Sequence, residues 1–128
     1  MLDNATKSVL DTIKKSNIHN STLNKPVGTL NYFASVIDAN NNGYFAHCTD
    51  GVGSKVKHLI KHEMYSTIGK DVFAMNYNDF LCVVANPISF QDHITSSDND
   101  AHIIPEVVNG ITDYCIEAFT LLTGGETE

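Results

Sequence analysis

The run Asp50-Gly51-Val52-Gly53-Ser54-Lys55 brings a carboxylate, two glycines and an amine together. Closely spaced glycines give a backbone that turns sharply and approaches a ligand closely. A carboxylate beside exposed backbone N–H groups makes chemical sense when Mg²⁺ lies between it and a phosphate, because Mg²⁺ takes one or two carboxylates plus phosphate oxygens. The run is not a Walker loop, since Lys55 follows Ser54 rather than glycine, and it is not G-x-G-x-x-G, whose third glycine would be Val56. Taken alone it is equally a tight connection from strand to helix. Asp71, Asp79 and Glu126 are further acids, beside glycines or on an apolar segment. Asp79 stands between Tyr77 and Phe80, in a stretch otherwise fit for burial. An acid there needs a hydrogen bond, a cation or a metal. A helix cap or a core hydrogen bond would serve as well.

Other constellations carry less. Asp38, Asn40, Asn42 and Gly43 fit the start of a calcium loop, but Thr49 stands where the bidentate Glu belongs, so a hairpin turn is expected. His58 and His62 are four apart and share a helix face, yet two ligands do not make a zinc site. His19, His47, His93 and His102 are scattered and form no visible triad with the cysteines. Cys48, Cys82 and Cys115 are odd in number and contain no C-x-x-C pair, which excludes a disulfide framework and a zinc ribbon and fits a reducing compartment. Asn20-Ser21-Thr22 is a glycosylation sequon of no consequence in a chain without a secretory signal, and Met1-Leu2-Asp3-Asn4 shows none. A cytoplasmic protein is expected.

The 128 residues suit one domain, with 42% hydrophobic and 18% charged residues, a globular balance. The longest apolar run, Phe80 to Ala85, is far short of the ~20 residues of a membrane helix. A net charge of -7 argues against binding a nucleic-acid backbone. All eight basic residues are lysines, so no bidentate guanidinium is available, and a bound phosphate must be held by Lys, backbone N–H groups or a metal.

The elements that must position these residues follow from patterning. A helix is expected over 3–15, with Val9, Leu10 and Ile13 on one side, then a loop over 17–26. Strands Thr29–Asp38 and Gly43–Thr49 flank the turn Ala39-Asn40-Asn41-Asn42-Gly43. Helices follow over 54–64 and 69–85, the second stopped by Pro87. Ile88–Thr95 reads as a strand, Ser96–Asp100 as an acidic loop, 104–118 as a helix and Phe119–Thr123 as a short strand before Gly124-Gly125-Glu126. The expected class is α+β, a mixed β-sheet with helices packed on one face.

Thr49-Asp50-Gly51-Val52-Gly53-Ser54-Lys55, Thr67 to Met75, Asn78-Asp79, Ala85-Asn86-Pro87 and Gly124-Gly125-Glu126-Thr127 together resemble the N-terminal half of the AIR synthase family, the phosphoribosylformylglycinamidine cyclo-ligases of purine biosynthesis. The resemblance runs from Val27 to the last residue. It divides the chain into an N-terminal helix and loop, 1–26, and an AIR synthase-like ATP-binding domain, 27–128. Related families include FGAM synthase, thiamine-monophosphate kinase, selenophosphate synthetase and a hydrogenase maturation factor. The kinase and selenium relatives differ after the Thr-Asp pair.

The resemblance implies a reaction in which ATP phosphorylates the formyl oxygen of formylglycinamidine ribonucleotide, the amidine nitrogen attacks that carbon, and phosphate leaves as the imidazole ring closes. It implies that Asp50, Asp79 and Glu126 hold Mg²⁺, that Lys55 contacts a phosphate, that Gly51, Val52, Gly53 and Ser54 line the nucleotide, and that Asp71 stands near the reacting groups. It also implies a homodimer whose contact completes the sheet and covers strand edges. The chain departs from the family pattern at Asn31-Tyr32-Phe33-Ala34, where a glycine pair is expected, at Val84 in place of glycine, and at Asn86 in place of an acid. The family continues beyond Glu126 with a closing strand and a second domain, so this stretch alone is expected to be inactive in ring closure. A non-catalytic binding or dimerisation module of the same fold, and another superfamily member such as FGAM synthase, are the alternatives.

Overall fold

The structure, a computed structural model, describes residues 4–20, 25–28 and 32–128, with the side chains of 16–20 and 98–99 set aside. The chain forms two compact units, Met1–Cys48 and Thr49–Glu128. The division expected from sequence lies earlier, at residue 26.

The first unit holds helix α1 (Asn4–Asn20) and the antiparallel strands β1 (Lys25–Val27), β2 (Ser35–Asp38) and β3 (Tyr44–His47), in the order β1-β2-β3. Val9 and Ile13 of α1 are exposed, so the apolar side expected of this helix is largely uncovered. β1 falls where a loop was expected. Its Pro26 is tolerated because β1 is an edge strand of this sheet. The predicted start of the next strand, at Thr29, lies outside the described residues. The Asn-rich turn is a long hairpin connection, as its spacing predicts. A short 3₁₀ turn covers Asn40–Asn42, the Ala39 N–H donates to the Gly43 carbonyl at 2.8 Å, and Asp38 Oδ1 accepts the Asn40 N–H at 2.8 Å. One oxygen of Asp38 therefore serves the turn itself.

The second unit holds helices α2 (Val56–Lys61), α3 (Tyr65–Leu81) and α4 (Ile104–Glu117), with the parallel strands β4 (Ser89–Ile94) and β5 (Leu121–Thr127). Parallel neighbours need a crossover, and α4 supplies it. Along β4, Phe90, Asp92 and Ile94 are half-buried while Ser89, Gln91 and His93 are exposed. Phe90, Ile94 and Leu122 pack against a core of Leu59, Ile68, Phe73, Val107, Ile111 and Cys115. The helices of this unit thus cover one face of its strand pair. The α+β class stands, with the strands forming a three-stranded and a two-stranded sheet rather than one. Burial pushes the Cys115 thiol pKa up, as suits a core residue rather than a nucleophile.

α3 starts four residues before the predicted 69 and ends four before the predicted 85. The early start has a packing cause. Gly69 lies inside the helix, where a side chain would collide with the Val107 carbonyl oxygen of α4, and Gly110 of α4 reciprocally faces the Ser66 carbonyl of α3. Sequence reading treats glycine as a helix boundary, but here the two glycines let the helix backbones touch. The early end is a left-handed cap. Val84 has φ +57°, the Ala85 N–H donates to the Phe80 carbonyl at 3.0 Å, and the Val84 N–H donates to the Leu81 carbonyl at 3.1 Å. α2 and α4 close in the same way, with Glu63 at φ +55° and Phe119 at φ +53°. This is the termination in which glycine is usual. Finally, β5 continues through Gly124-Gly125 instead of ending at Thr123, because a bulge lies between the Phe90–Leu122 and Asp92–Gly125 pairs.

Two stability predictions follow from these contacts. Gly110→Ala gains about 1 kcal/mol of helix propensity but places a Cβ on helix backbone that no rotamer can relieve. The net loss is expected to be about 1–3 kcal/mol, read as a lower urea midpoint; an unchanged or raised midpoint would contradict the close contact. Val84 is 95% exposed, so its side chain contributes almost no burial to offset its left-handed backbone. Relief of ~1–2 kcal/mol of backbone strain, less the extra chain entropy of glycine of ~0.5–1 kcal/mol, makes Val84→Gly stabilising, with a raised urea midpoint.

Candidate functional site

Asp50 is the second residue of the second unit. Its backbone is held from α3: the Asp50 N–H donates to Asn76 Oδ1 at 2.9 Å, and Asn76 Nδ2 donates to the Asp50 carbonyl at 3.0 Å. Asn76 Nδ2 also donates to the Val72 carbonyl at 2.9 Å. Asn76 is 7% exposed, so its amide is buried, while Asp50 is exposed and the bonds between them are partly buried. Asp50 Oδ1 accepts the Gly51 N–H at 2.7 Å, which occupies one of the backbone donors of the turn. Among the described residues Asp50 Oδ2 has no hydrogen-bond partner.

Val52 then packs on the core, and Gly53, at φ +70°, begins a 3₁₀ turn over Gly53–Lys55 that leads into α2. That turn carries Lys55, whose Nζ lies 3.0 Å from Asp71 Oδ2 on α3. The lysine side chain is 49% exposed and the aspartate 28%, so the pair contributes little to stability while setting where the amine sits. The two residues expected nearest the reaction therefore touch. Two turns further along α3 than Asp71, Asp79 is half-buried and carries no hydrogen bond or ion pair among the described residues. No buried polar side-chain atom there lacks a partner, so the Asp79 carboxylate reaches solvent. Asn76 and Asp79 are three apart and are neighbours on the helix surface. Asp50 is thus tied to a residue one helical step from Asp79.

Glu126 is placed differently. In the parallel ladder it is registered with His93, and both are exposed. Registered residues share a face, so Glu126 lies on the side of the strand pair away from Phe90 and the helices. Among the described residues no three His, Cys, Asp or Glu side chains come together in a way that could hold a metal. The expected Asp50, Asp79 and Glu126 set is not a preformed cage. Two carboxylates completed by phosphate oxygens are nevertheless enough for Mg²⁺, and Asp50 and Asp79 have the donor chemistry for it.

Sequence reasoning missed Asn76 and Asp92. Asn76 signals itself as an amide in an apolar helix, where its hydrogen bonds must be met inside the protein. Asp92 signals itself by parity, falling between Phe90 and Ile94 on the inward face, where its carboxylate fills the space a Cβ at Gly125 would take. A groove of about 250 Å³ between α3 and α4, lined by Phe73, Tyr77, Asn78, Tyr114 and Glu117, includes none of Asp50, Lys55, Asp71, Asp79 or Glu126. His58 and His62 do meet, with ring centroids 4.5 Å apart, but no third ligand joins them among the described residues. No helix among those residues is long and apolar enough to cross a membrane.

Curated relatives match this stretch. A phosphoribosylformylglycinamidine cyclo-ligase of Fusobacterium nucleatum is 40% identical over 79 residues, 62% of this chain and 23% of the relative. One of Streptococcus pyogenes is 36% identical over 105 residues, 79% of this chain and 31% of the relative. The chain thus spans a third or less of the curated relatives it matches. The family model for the AIR synthase related protein, N-terminal domain, matches residues 33–128, which include the Asp50 turn, all of α3 and the Gly124-Gly125-Glu126 strand, and the chain belongs to that family.

Proposed function

We propose that the chain is the N-terminal part of an ATP-dependent cyclo-ligase that converts formylglycinamidine ribonucleotide to aminoimidazole ribonucleotide, with release of ADP and phosphate. The observation that carries the reading is the turn at Asp50, tied to α3 through Asn76, three residues before Asp79, and followed by the Lys55–Asp71 pair. The similarity to curated phosphoribosylformylglycinamidine cyclo-ligases supports it.

In this reading Asp50, through Oδ2, and Asp79 share Mg²⁺ with the phosphates of ATP. Glu126, on the outward face of β5, would reach a metal from the strand side rather than from α3. Bound Mg²⁺ would neutralise charge on the transferred phosphoryl group, which the protein stabilises mainly by position and electrostatics. Beyond Gly51, whose N–H is taken by Asp50, the turn through Val52, Gly53 and Ser54 would offer backbone N–H donors to a phosphate. Lys55 supplies a positive charge in a chain without guanidinium groups, and Asp71 holds its amine in place until phosphate competes for it. The substrate is a ribonucleotide, the assembly a homodimer that covers strand edges, and the compartment the cytoplasm, in keeping with three free cysteines.

Calorimetric titration of Mg²⁺–ATP into the folded chain tests this reading. Saturable binding is expected, weakened at least tenfold, about 1.4 kcal/mol, in Asp79→Asn without loss of the folded state. Absence of saturable binding in the wild-type chain overturns the nucleotide site and leaves a non-catalytic module of the same fold. Lys55→Ala separates binding from stability. Loss of a half-exposed ion pair should change unfolding free energy by no more than about 1 kcal/mol, while the Mg²⁺–ATP affinity falls several-fold. Equal affinity in Lys55→Ala would remove Lys55 from the phosphate site.

A further inference from the structure

Asn76 pairs its amide with both backbone polar groups of one distant residue. A primary amide has two N–H donors and one carbonyl acceptor. Here Oδ1 accepts the Asp50 N–H, and Nδ2 donates to the Asp50 carbonyl and to the Val72 carbonyl. The first two bonds engage both polar groups of a single peptide residue, 26 positions away in sequence. A side-chain amide that pairs with the N–H and C=O of one residue acts as a strand neighbour would, and it holds that residue in an extended conformation. The third bond ties the amide to its own helix four residues back and locks its rotation. A buried amide needs partners in any case, but these particular partners convert the rigidity of α3 into a fixed backbone at Asp50.

We infer that Asn76 is a positioning residue that fixes the Asp50–Gly51 turn on α3, so that the Asp50 carboxylate is presented beside Asp79. The inference rests on the proposed Mg²⁺–ATP site for its consequence, though not for the clamp itself. Asp50 is exposed, and it precedes a turn containing two glycines, a segment with little packing of its own. Without the amide, the carboxylate would sample many positions relative to α3, and a metal site shared with phosphate would have to order it on binding. No other residue type replaces Asn76 fully. Ser is too short and has one donor, Asp has no donor when ionised, and Leu or Ala has neither donor nor acceptor.

Amide hydrogen exchange by NMR and calorimetry on the same ¹⁵N-labelled chain test the inference together. In wild type the Asp50 amide is expected to be protected, since it is bonded to a buried side chain. Asn76→Ala should lower that protection at least tenfold while Phe73 and Ile111, in the core, keep theirs. It should also raise the Kd for Mg²⁺–ATP at least tenfold. Asn76→Gln retains the amide on a longer stem and should recover part of both effects. Unchanged Asp50 protection in Asn76→Ala overturns the clamp. Loosened Asp50 with unchanged Mg²⁺–ATP affinity overturns the positioning role. Should wild type itself fail to bind Mg²⁺–ATP, the functional reading falls and takes the positioning role with it, while Asp50 exchange still decides whether the clamp exists.

Discussion

The approach of α3 to α4 governs the second unit. Helix pairs usually pack with side chains between them, at axis distances of about 8–10 Å. At Gly69 and Gly110 nothing intervenes, and each glycine faces a backbone carbonyl of the other helix. That contact sets how α3 lies against α4, and α4 is the crossover between β4 and β5. The position of Phe73 against Phe90, with ring centroids 5.3 Å apart, depends on it. So does the complete burial of Ile111. Two glycines in helix interiors cost about 1 kcal/mol each in propensity, and the close contact is the compensating gain. The Lys70–Asp113 pair at 3.4 Å spans the same two helices but is largely exposed and adds little.

α3 then serves as the reference for the candidate site residues. Four positions on α3 matter here: Asp71 meets Lys55, Asn76, braced by the Val72 carbonyl, holds the Asp50 backbone, and Asp79 stands three residues on. The turn at residues 50–55 contributes little packing apart from Val52 and is defined by what α3 does to it. Charge is arranged with the same economy. The lysine nearest the turn is neutralised by an acid within reach, whereas Asp50 keeps one carboxylate oxygen, and Asp79 its whole side chain, without a protein partner among the described residues. A site of that kind carries excess negative charge toward solvent, which suits a divalent cation brought in with a polyanion better than a bare anion.

Much of this was legible in the sequence, for identifiable reasons. The helices were found because apolar periodicity survives in them, and the Asp50 turn was found because glycine spacing is a local signal. The family followed from several motifs in fixed order. Boundaries failed where tertiary contacts override local chemistry. Gly69 looks like a helix start and is a helix contact. Val84 looks like helix interior and adopts a left-handed cap, where the backbone bonds to Phe80 and Leu81 win over the preference of a β-branched residue. β1 was missed because Lys25-Pro26-Val27 has the composition of a loop and pairs only as an edge. Asn76 was missed because a hydrogen bond spanning 26 residues leaves no trace in spacing.

The least legible feature is the phase of β5, and it decides what Glu126 can do. Simple alternation from Leu122, which packs inward, would send residues 124 and 126 to the same face. The pairing instead advances two residues on β4, from Phe90 to Asp92, and three on β5, from Leu122 to Gly125. That bulge inverts the remainder of the strand. Gly125 comes to the inward face and lies against the Asp92 carboxylate, which a side chain at 125 would displace. Glu126 turns outward beside His93. An acid that the family resemblance groups with Asp50 and Asp79 thus lies on the face away from the helices, while Asp92, on the inward side, shares its face with Phe90 and Ile94, which pack on the core. A bulge of one residue reassigns which carboxylate belongs to which surface. Any account of metal binding in this domain has to begin from that parity rather than from the order of acids along the chain.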